Sequence, residues 1–114
     1  MSDCIFCKII NGDIPSQKVY EDDLMLAFKD IEPQAPVHLI LIPKKHISSS
    51  NDINSENISY ISHIFTKVPQ IAASAGIDKE GYRIVNNCGE SAGQTVKHIH
   101  FHMMGGRSFG WPAG

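Results

Sequence analysis

The sequence predicts an α+β fold, and three observations predict it. Short stretches of strand length outnumber helices, two of them read as a hairpin, and one long segment of helical periodicity crosses between the strand groups. With 114 residues the chain is one domain, 1–114, able to bury a single core. No internal repeat, linker or low-complexity segment interrupts it.

Taken in order, Ile5, Phe6, Ile9 and Ile10 fall at roughly helical spacing, and Asn11-Gly12-Asp13 closes this short N-terminal helix. Val19–Glu21 reads as a strand, Asp22-Asp23 as a turn and Leu24–Lys29 as the returning strand. Asp30–His38, with prolines at 33 and 36, reads as an ordered loop. Leu39–Ile42 is a continuous apolar run before Pro43, the mark of a strand buried on both faces. Lys44-Lys45-His46 follow at its exit, where side chains often reach a site.

From Asn54 to Ala75 the apolar residues fall at 58, 61, 64, 65, 68, 71, 72 and 75, a helical pattern. Asn54 is the expected N-cap and Gly76 the stop. Pro69 removes one backbone donor inside this pattern and is expected to kink or split the helix. Tyr82–Val85 is a strand, Cys88–Gln94 a glycine-containing loop, and Thr95–Met104 a final strand ended by Gly105-Gly106.

Composition excludes several functions. The apolar fraction of 42% and charged fraction of 19% are those of an ordinary globular chain, and the net charge is −2. Without a basic run, bulk attraction to nucleic acid is not expected, although a single phosphate can still be bound locally. No apolar stretch reaches membrane-spanning length. The start, Met1-Ser2-Asp3-Cys4, lacks the basic and apolar regions of a secretory leader, so a cytoplasmic location is expected. Three cysteines, an odd number, argue against a disulfide framework.

The chemistry concentrates in His98-Ile99-His100-Phe101-His102-Met103-Met104. Strict alternation has the period of a strand, so Ile99, Phe101 and Met103 enter the core while the three imidazoles line the other face. Such a face can hold a metal, or it can make His100 a nucleophile flanked by polarising neighbours, since neutral imidazole attacks phosphorus near pH 7. Spacing alone leaves both open. The loop upstream favours phosphorus chemistry: Gly89 and Gly93 let backbone N–H groups converge on an anion, with Gln94 and Thr95 beside them. Cys4-x-x-Cys7 is open between a redox pair, two core cysteines and half of a zinc site that needs two more ligands. His38, His63 and Cys88 carry no motif, and surface or core placement is the default for each.

The histidine stretch matches His-φ-His-φ-His-φ-φ, φ being apolar, the signature of the histidine triad superfamily. Nearly the whole chain resembles its Hint branch, through Ile5-Phe6, Ile14-Pro15, Tyr20-Glu21-Asp22-Asp23, Pro33-Gln34-Ala35-Pro36, Ile42-Pro43-Lys44-Lys45-His46, Gly93-Gln94, Gly105-Gly106-Arg107 and Trp111-Pro112. The resemblance implies an antiparallel sheet with one long helix and a short N-terminal helix, the sheet continuing across a homodimer. It also implies a purine nucleotide site with phosphoramidase or nucleotidyl-hydrolase activity.

Carried over by position, His100 would be the nucleophile, with His98 and His102 flanking it. Asn87, Gly93, Gln94, Thr95 and His102 would lie near the phosphate, Asp30 would hold the ribose hydroxyls, and Ile5, Phe6, Ile9, Phe28 and Ile31 would form the purine slot. Thr95 stands where many relatives have Ser and keeps the hydroxyl; Ala92 stands where Gly is common and is expected to reshape the loop slightly. Some Hint-like bacterial relatives resemble this chain in the cysteine pair, which there joins the histidines matching His46 and His98 around a structural zinc. Cys4, Cys7, His46 and His98 are then the expected ligands, and His102 becomes the better proton donor. The resulting expectation is a hydrolase of purine nucleoside 5′-phosphoramidates or aminoacyl-adenylates. The alternatives are a nucleotide-binding interaction module with vestigial catalysis and a dinucleoside polyphosphate hydrolase.

Overall fold

Alternating side chains sort the apolar residues onto the two faces of one sheet. In the computed structural model, which describes residues 3–114, this sheet is five-stranded and antiparallel. Met1 and Ser2, part of the segment read above for a leader, lie outside the described residues. Strand β1 (Lys18–Glu21) turns into β2 (Met25–Lys29), and the Asp22 carboxylate closes the turn by accepting from the N–H groups of Leu24 (2.8 Å) and Met25 (3.0 Å). Strand β3 (Val37–Pro43) pairs with β2 on one side and with β5 (Phe101–Gly105) on the other; β5 pairs outward with β4 (Tyr82–Val85). The order is β1-β2-β3-β5-β4, so β3 is central, which is why Leu39–Ile42 is apolar without alternation.

Met25, Ala27, Leu39, Leu41, Phe101 and Met103 face helix α2 (Ile58–Ser74) and pack against its buried stripe, Ile61, Ile64, Val68, Ile71 and Ala72. Leu26, Phe28, Ile40 and Ile42 face the other way and receive Phe6 and Ile9 from helix α1 (Ile5–Ile10). Fully burying a side chain such as Ile64 contributes about 1.5–3 kcal/mol.

Three expectations change. Helix α2 runs unbroken through Pro69, which is exposed, as is Phe65 one turn earlier; the carbonyl that loses its donor lies on the solvated side. The helix also starts later than Asn54. That residue caps the preceding turn, its Oδ1 accepting from the N–H groups of Glu56 and Asn57, while Gly76 ends the helix at φ +76° as expected. The final strand begins only at Phe101. Across from it β3 ends at Pro43, which has no N–H to extend the ladder, and the N–H of Ile99 donates instead to the Ile47 carbonyl. Alternation nevertheless survives, since Ile99, Phe101 and Met103 all enter the helix-side core.

Candidate active site

His100 and His102 stand side by side. Their ring centroids are 5.1 Å apart, and each ring is oriented through its Nδ1. His100 Nδ1–H donates to the carbonyl of His98 at 2.8 Å, leaving the lone pair on Nε2. That carbonyl belongs to the irregular segment before β5, so the late start of the strand makes the contact available. Asn86 Nδ2 in turn donates to the His100 carbonyl at 2.9 Å.

His102 has the opposite tautomer, set by a relay from the loop before β3. The Gln34 N–H donates to His38 Nδ1 at 3.0 Å, so the His38 proton sits on Nε2. That Nε2–H lies 2.9 Å from His102 Nδ1 and 3.3 Å from Asp30 Oδ2. His102 therefore accepts at Nδ1 and carries its proton on Nε2. Burial lowers the pKa of both His38 and His102, so both are neutral at pH 7. Among the described residues, only Ser16 Oγ is a buried side-chain polar atom with no partner, so the partnerless Nε2 atoms of His100 and His102 keep some contact with solvent, although His100 as a whole is buried and His102 half-buried. The site thus presents a lone pair next to an N–H donor.

His98 is not part of that edge. It is fully buried, its Nε2–H donates to the Pro43 carbonyl at 2.9 Å, and burial takes its pKa down to about 4. Its Nδ1 instead faces Cys4 Sγ at 3.4 Å and Cys7 Sγ at 3.6 Å, and Cys7 Sγ is 3.4 Å from His46 Nδ1. All four ligand atoms lie within 4.8 Å of one another. A tetrahedral ion with ordinary Zn–S and Zn–N bonds separates S and N ligands by about 3.5 Å, so the donor set fits one. The Pro43 bond fixes the His98 tautomer that leaves Nδ1 as a ligand. Asp30, His38 and His102 also lie close enough to share an ion, but the 2.9 Å N···N distance is that of a hydrogen bond, shorter than the roughly 3.3 Å two imidazoles keep around a tetrahedral metal.

Of the phosphate-loop residues, Gln94 spends its side chain on the loop. Its Oε1 accepts from the Gly89 N–H, and its Nε2 donates to the carbonyls of Ser48 and Val96. Gly89 and Gly93 have φ of +89° and +91°, positions that favour glycine, whereas among the described residues no non-glycine residue has positive φ, so Ala92 fits its place without strain. Thr95 is exposed and lines a cleft of about 460 Å³ with His46, Ser48 and Lys97. Asn87 is half-buried, and it is its neighbour Asn86 that braces the histidine backbone. Lys44, expected near the site, is bound to Glu21 at 2.7 Å, whereas His46 from the same exit joins the cysteine cluster.

Of the residues expected to meet a nucleoside, Phe6, Ile9 and Phe28 are buried and form a floor, with Phe6 edge-on to His100 at 5.1 Å and to Phe28 at 5.7 Å. Ile5 is partly exposed and Ile31 is 96% exposed. Asp30 Oδ1 accepts from the Glu32 N–H, and Asp30 and Ile31 share a cleft of about 490 Å³. A further cleft, about 510 Å³, lies between the loop and strands around Lys29, Asp30, Pro36 and His38 and the C-terminal end of α2 at Ile71, Ser74 and the following Ala75. Sequence reasoning missed His38, Gln34 and Asn86. His38 was detectable only as a histidine at the head of the central strand, in register with the histidine-bearing one: it pairs with Met104, two residues from His102.

A model of the scavenger mRNA decapping enzyme C-terminal binding family matches residues 3–110. An uncharacterised HIT-like protein of Synechococcus elongatus is 50% identical over 112 residues, 98% of this chain and 97% of that protein. The purine nucleoside phosphoramidase of Escherichia coli is 45% identical over 106 residues, 93% of this chain and 89% of that enzyme. The crystal structure of a HIT family hydrolase from Legionella pneumophila superposes with a TM-score of 0.95 at 46% identity, covering 98% of this chain and all of that one.

Proposed function

Since the chain belongs to the histidine triad family of nucleotide hydrolases, we propose that it cleaves the P–N bond of purine nucleoside 5′-phosphoramidates through a nucleotidyl-His100 intermediate, aminoacyl-adenylates being the related acyl substrates. The lone pair on His100 Nε2 attacks phosphorus, a P–N bond to the imidazole forms, and the bond to the leaving nitrogen breaks as that nitrogen takes a proton from solvent and departs as the amine. His102 Nε2–H donates to the oxygen or nitrogen on which charge develops, and backbone donors of the Gly89–Thr95 loop offset charge on the non-bridging oxygens. Water then displaces His100 and releases the nucleoside monophosphate. Asp30 holds the ribose, and the phosphoramidase relative at 45% identity supports the purine and the scissile bond.

The observation that carries this reading is the pair of opposite tautomers, with a lone pair and a donor on adjacent solvent-facing edges. His100→Ala should lower hydrolysis of an adenosine phosphoramidate by at least about a thousandfold. Mass spectrometry of wild-type enzyme quenched in denaturant should find a nucleotidyl adduct that the variant lacks. Wild-type turnover in His100→Ala ends the proposal.

Cys4, Cys7, His46 and His98 would hold a structural zinc, whose chemistry is that of a crosslink between α1 and the sheet and not of a reactant. The protein would act as a homodimer, joined through the exposed Phe65 and Ile58 of α2 and the open edge of β4.

A further inference from the structure

The chain after β5 folds back onto the loop that orients His38. Gly106 follows the last residue of that strand at φ +90°, and a Cβ there would meet the Pro36 ring at 2.9 Å. The tail therefore leaves the sheet directly against the loop between β2 and β3. Arg107 comes next, and its Nε–H donates to the Gln34 carbonyl at 3.0 Å. Water competes for an exposed hydrogen bond, but the contacts around this one fix its donor. Arg107 Nη1–H donates to the Ser108 carbonyl at 2.9 Å, and its guanidinium lies 4.2 Å from the centre of the Phe109 ring. Arg83 of β4 covers the same ring at 5.2 Å and donates to the Gly110 carbonyl at 2.8 Å. Neither arginine forms an ion pair among the described residues.

Tail and imidazole relay meet at Gln34. Its N–H donates to His38 Nδ1 at 3.0 Å, its Nε2–H donates to the Glu32 carbonyl at 3.0 Å, and its carbonyl takes the Arg107 bond. Only the φ and ψ of Gln34 separate that N–H from that carbonyl, so fixing the carbonyl limits how far the N–H can swing from His38. Once the N–H turns away, His38 is free to carry its proton on Nδ1 and to offer His102 a lone pair in place of a donor. His102 then takes its own proton on Nδ1, and the donor beside the His100 lone pair is lost. We propose that Arg107 is a positioning residue that acts through Gln34 and His38 to keep the His102 proton on Nε2. This rests on the phosphoramidate reading above and adds to it a side chain from the C-terminal tail.

Steady-state kinetics on an adenosine phosphoramidate and nitrogen NMR of the imidazoles, both on the intact chain, test it. Arg107 is exposed, so Arg107→Met should fold. That variant should lower kcat about three- to tenfold while KM stays within about twofold of wild type. The loss should vanish in a His38→Ala background, because a residue acting through His38 has nothing to hold once that ring is gone. Without substrate, the His102 nitrogens of the wild type should report the Nε2–H form, and Arg107→Met should shift them toward the Nδ1–H form. An equal kcat loss in the His38→Ala background overturns the proposal. So does wild-type kcat in Arg107→Met, or a His102 tautomer that the substitution leaves unchanged. If the wild-type protein hydrolyses no phosphoramidate, the reading above fails and the catalytic role of Arg107 falls with it. The tautomer shift is read without substrate, so the two failures are told apart.

Discussion

At the scale of single residues, the proton on His102 is positioned by a side chain that no motif marks. His38 receives the Gln34 N–H at Nδ1, so only its Nε2 can donate to His102, and this turns the His102 Nε2–H outward. His38→Ala should lower kcat by about 10- to 100-fold while nucleotide monophosphate affinity changes little, as read by steady-state kinetics beside calorimetry. His38→Gln, whose amide nitrogen can replace the donor, should recover part of the loss; a merely structural role for His38 predicts no such recovery. His100 was legible because alternation around the histidines is a local pattern. His38 was not, because its partner is 64 positions away along the chain and only strand register brings the two together.

Elements are held by contacts that join distant parts of the chain. Helix α1 has six residues, too few to persist alone, and carries two of the three aromatic and aliphatic side chains of the floor proposed for the nucleoside. If the four-ligand cluster ties it down, Cys4→Ser with Cys7→Ser should abolish bound zinc, measured as about one ion per chain in the wild type by elemental analysis. The same variant should lower the thermal midpoint by several degrees and weaken nucleotide binding, since Phe6 borders His100.

Helix α2 is tied to the β1–β2 turn by Asp22, which accepts from Tyr20 OH at 2.7 Å and His63 Nε2 at 2.6 Å. Burial alone would raise the Asp22 carboxyl, but the hydrogen bonds from Tyr20, His63, Leu24 and Met25 outweigh it and hold the pKa well below the usual range. Its folded value lies below its unfolded one, so the contribution to stability is full above the unfolded carboxylate range near pH 4. It is lost as pH falls through the depressed folded value. Asp22→Asn should therefore destabilise the protein by about 1–3 kcal/mol at pH 7 and by less toward pH 2, as measured by denaturant unfolding at each pH.

For the whole molecule, the faces left uncovered matter most. Phe65, edge-on to Phe101 at 5.3 Å, is 44% exposed, Ile58 is 43% exposed on the same helix, and β4 is an unpaired edge whose four residues are all half-buried. Phe65→Glu should shift the protein toward monomer in analytical ultracentrifugation if this face joins two copies; a wild-type monomer, or a variant dimer of unchanged affinity, removes the homodimer. The C-terminal segment is fastened more firmly: Arg107 and Arg83 both lie over the Phe109 ring, and Arg107 Nε donates to the Gln34 carbonyl. Residues that follow the histidine strand thus secure the loop that orients His38.

The sequence by itself determined the elements, the central place of the Leu39–Ile42 strand, the separation of the histidines from the core and the family, because periodicities of 2.0 and 3.6 and a contiguous motif are local properties. It did not determine that Pro69 would be absorbed, since that depends on which face of α2 is solvated. Nor did it determine that the strand would start at Phe101, where the reach of β3 sets the limit. Only the tertiary structure decided which nitrogen each imidazole exposes, that His98 turns toward sulfur while His100 and His102 do not, and that Gln94 is held by the distant Ser48 carbonyl as well as by its own loop. Each of those outcomes depends on a hydrogen-bond partner supplied by a different part of the fold, and side-chain spacing along one strand carries no information about it.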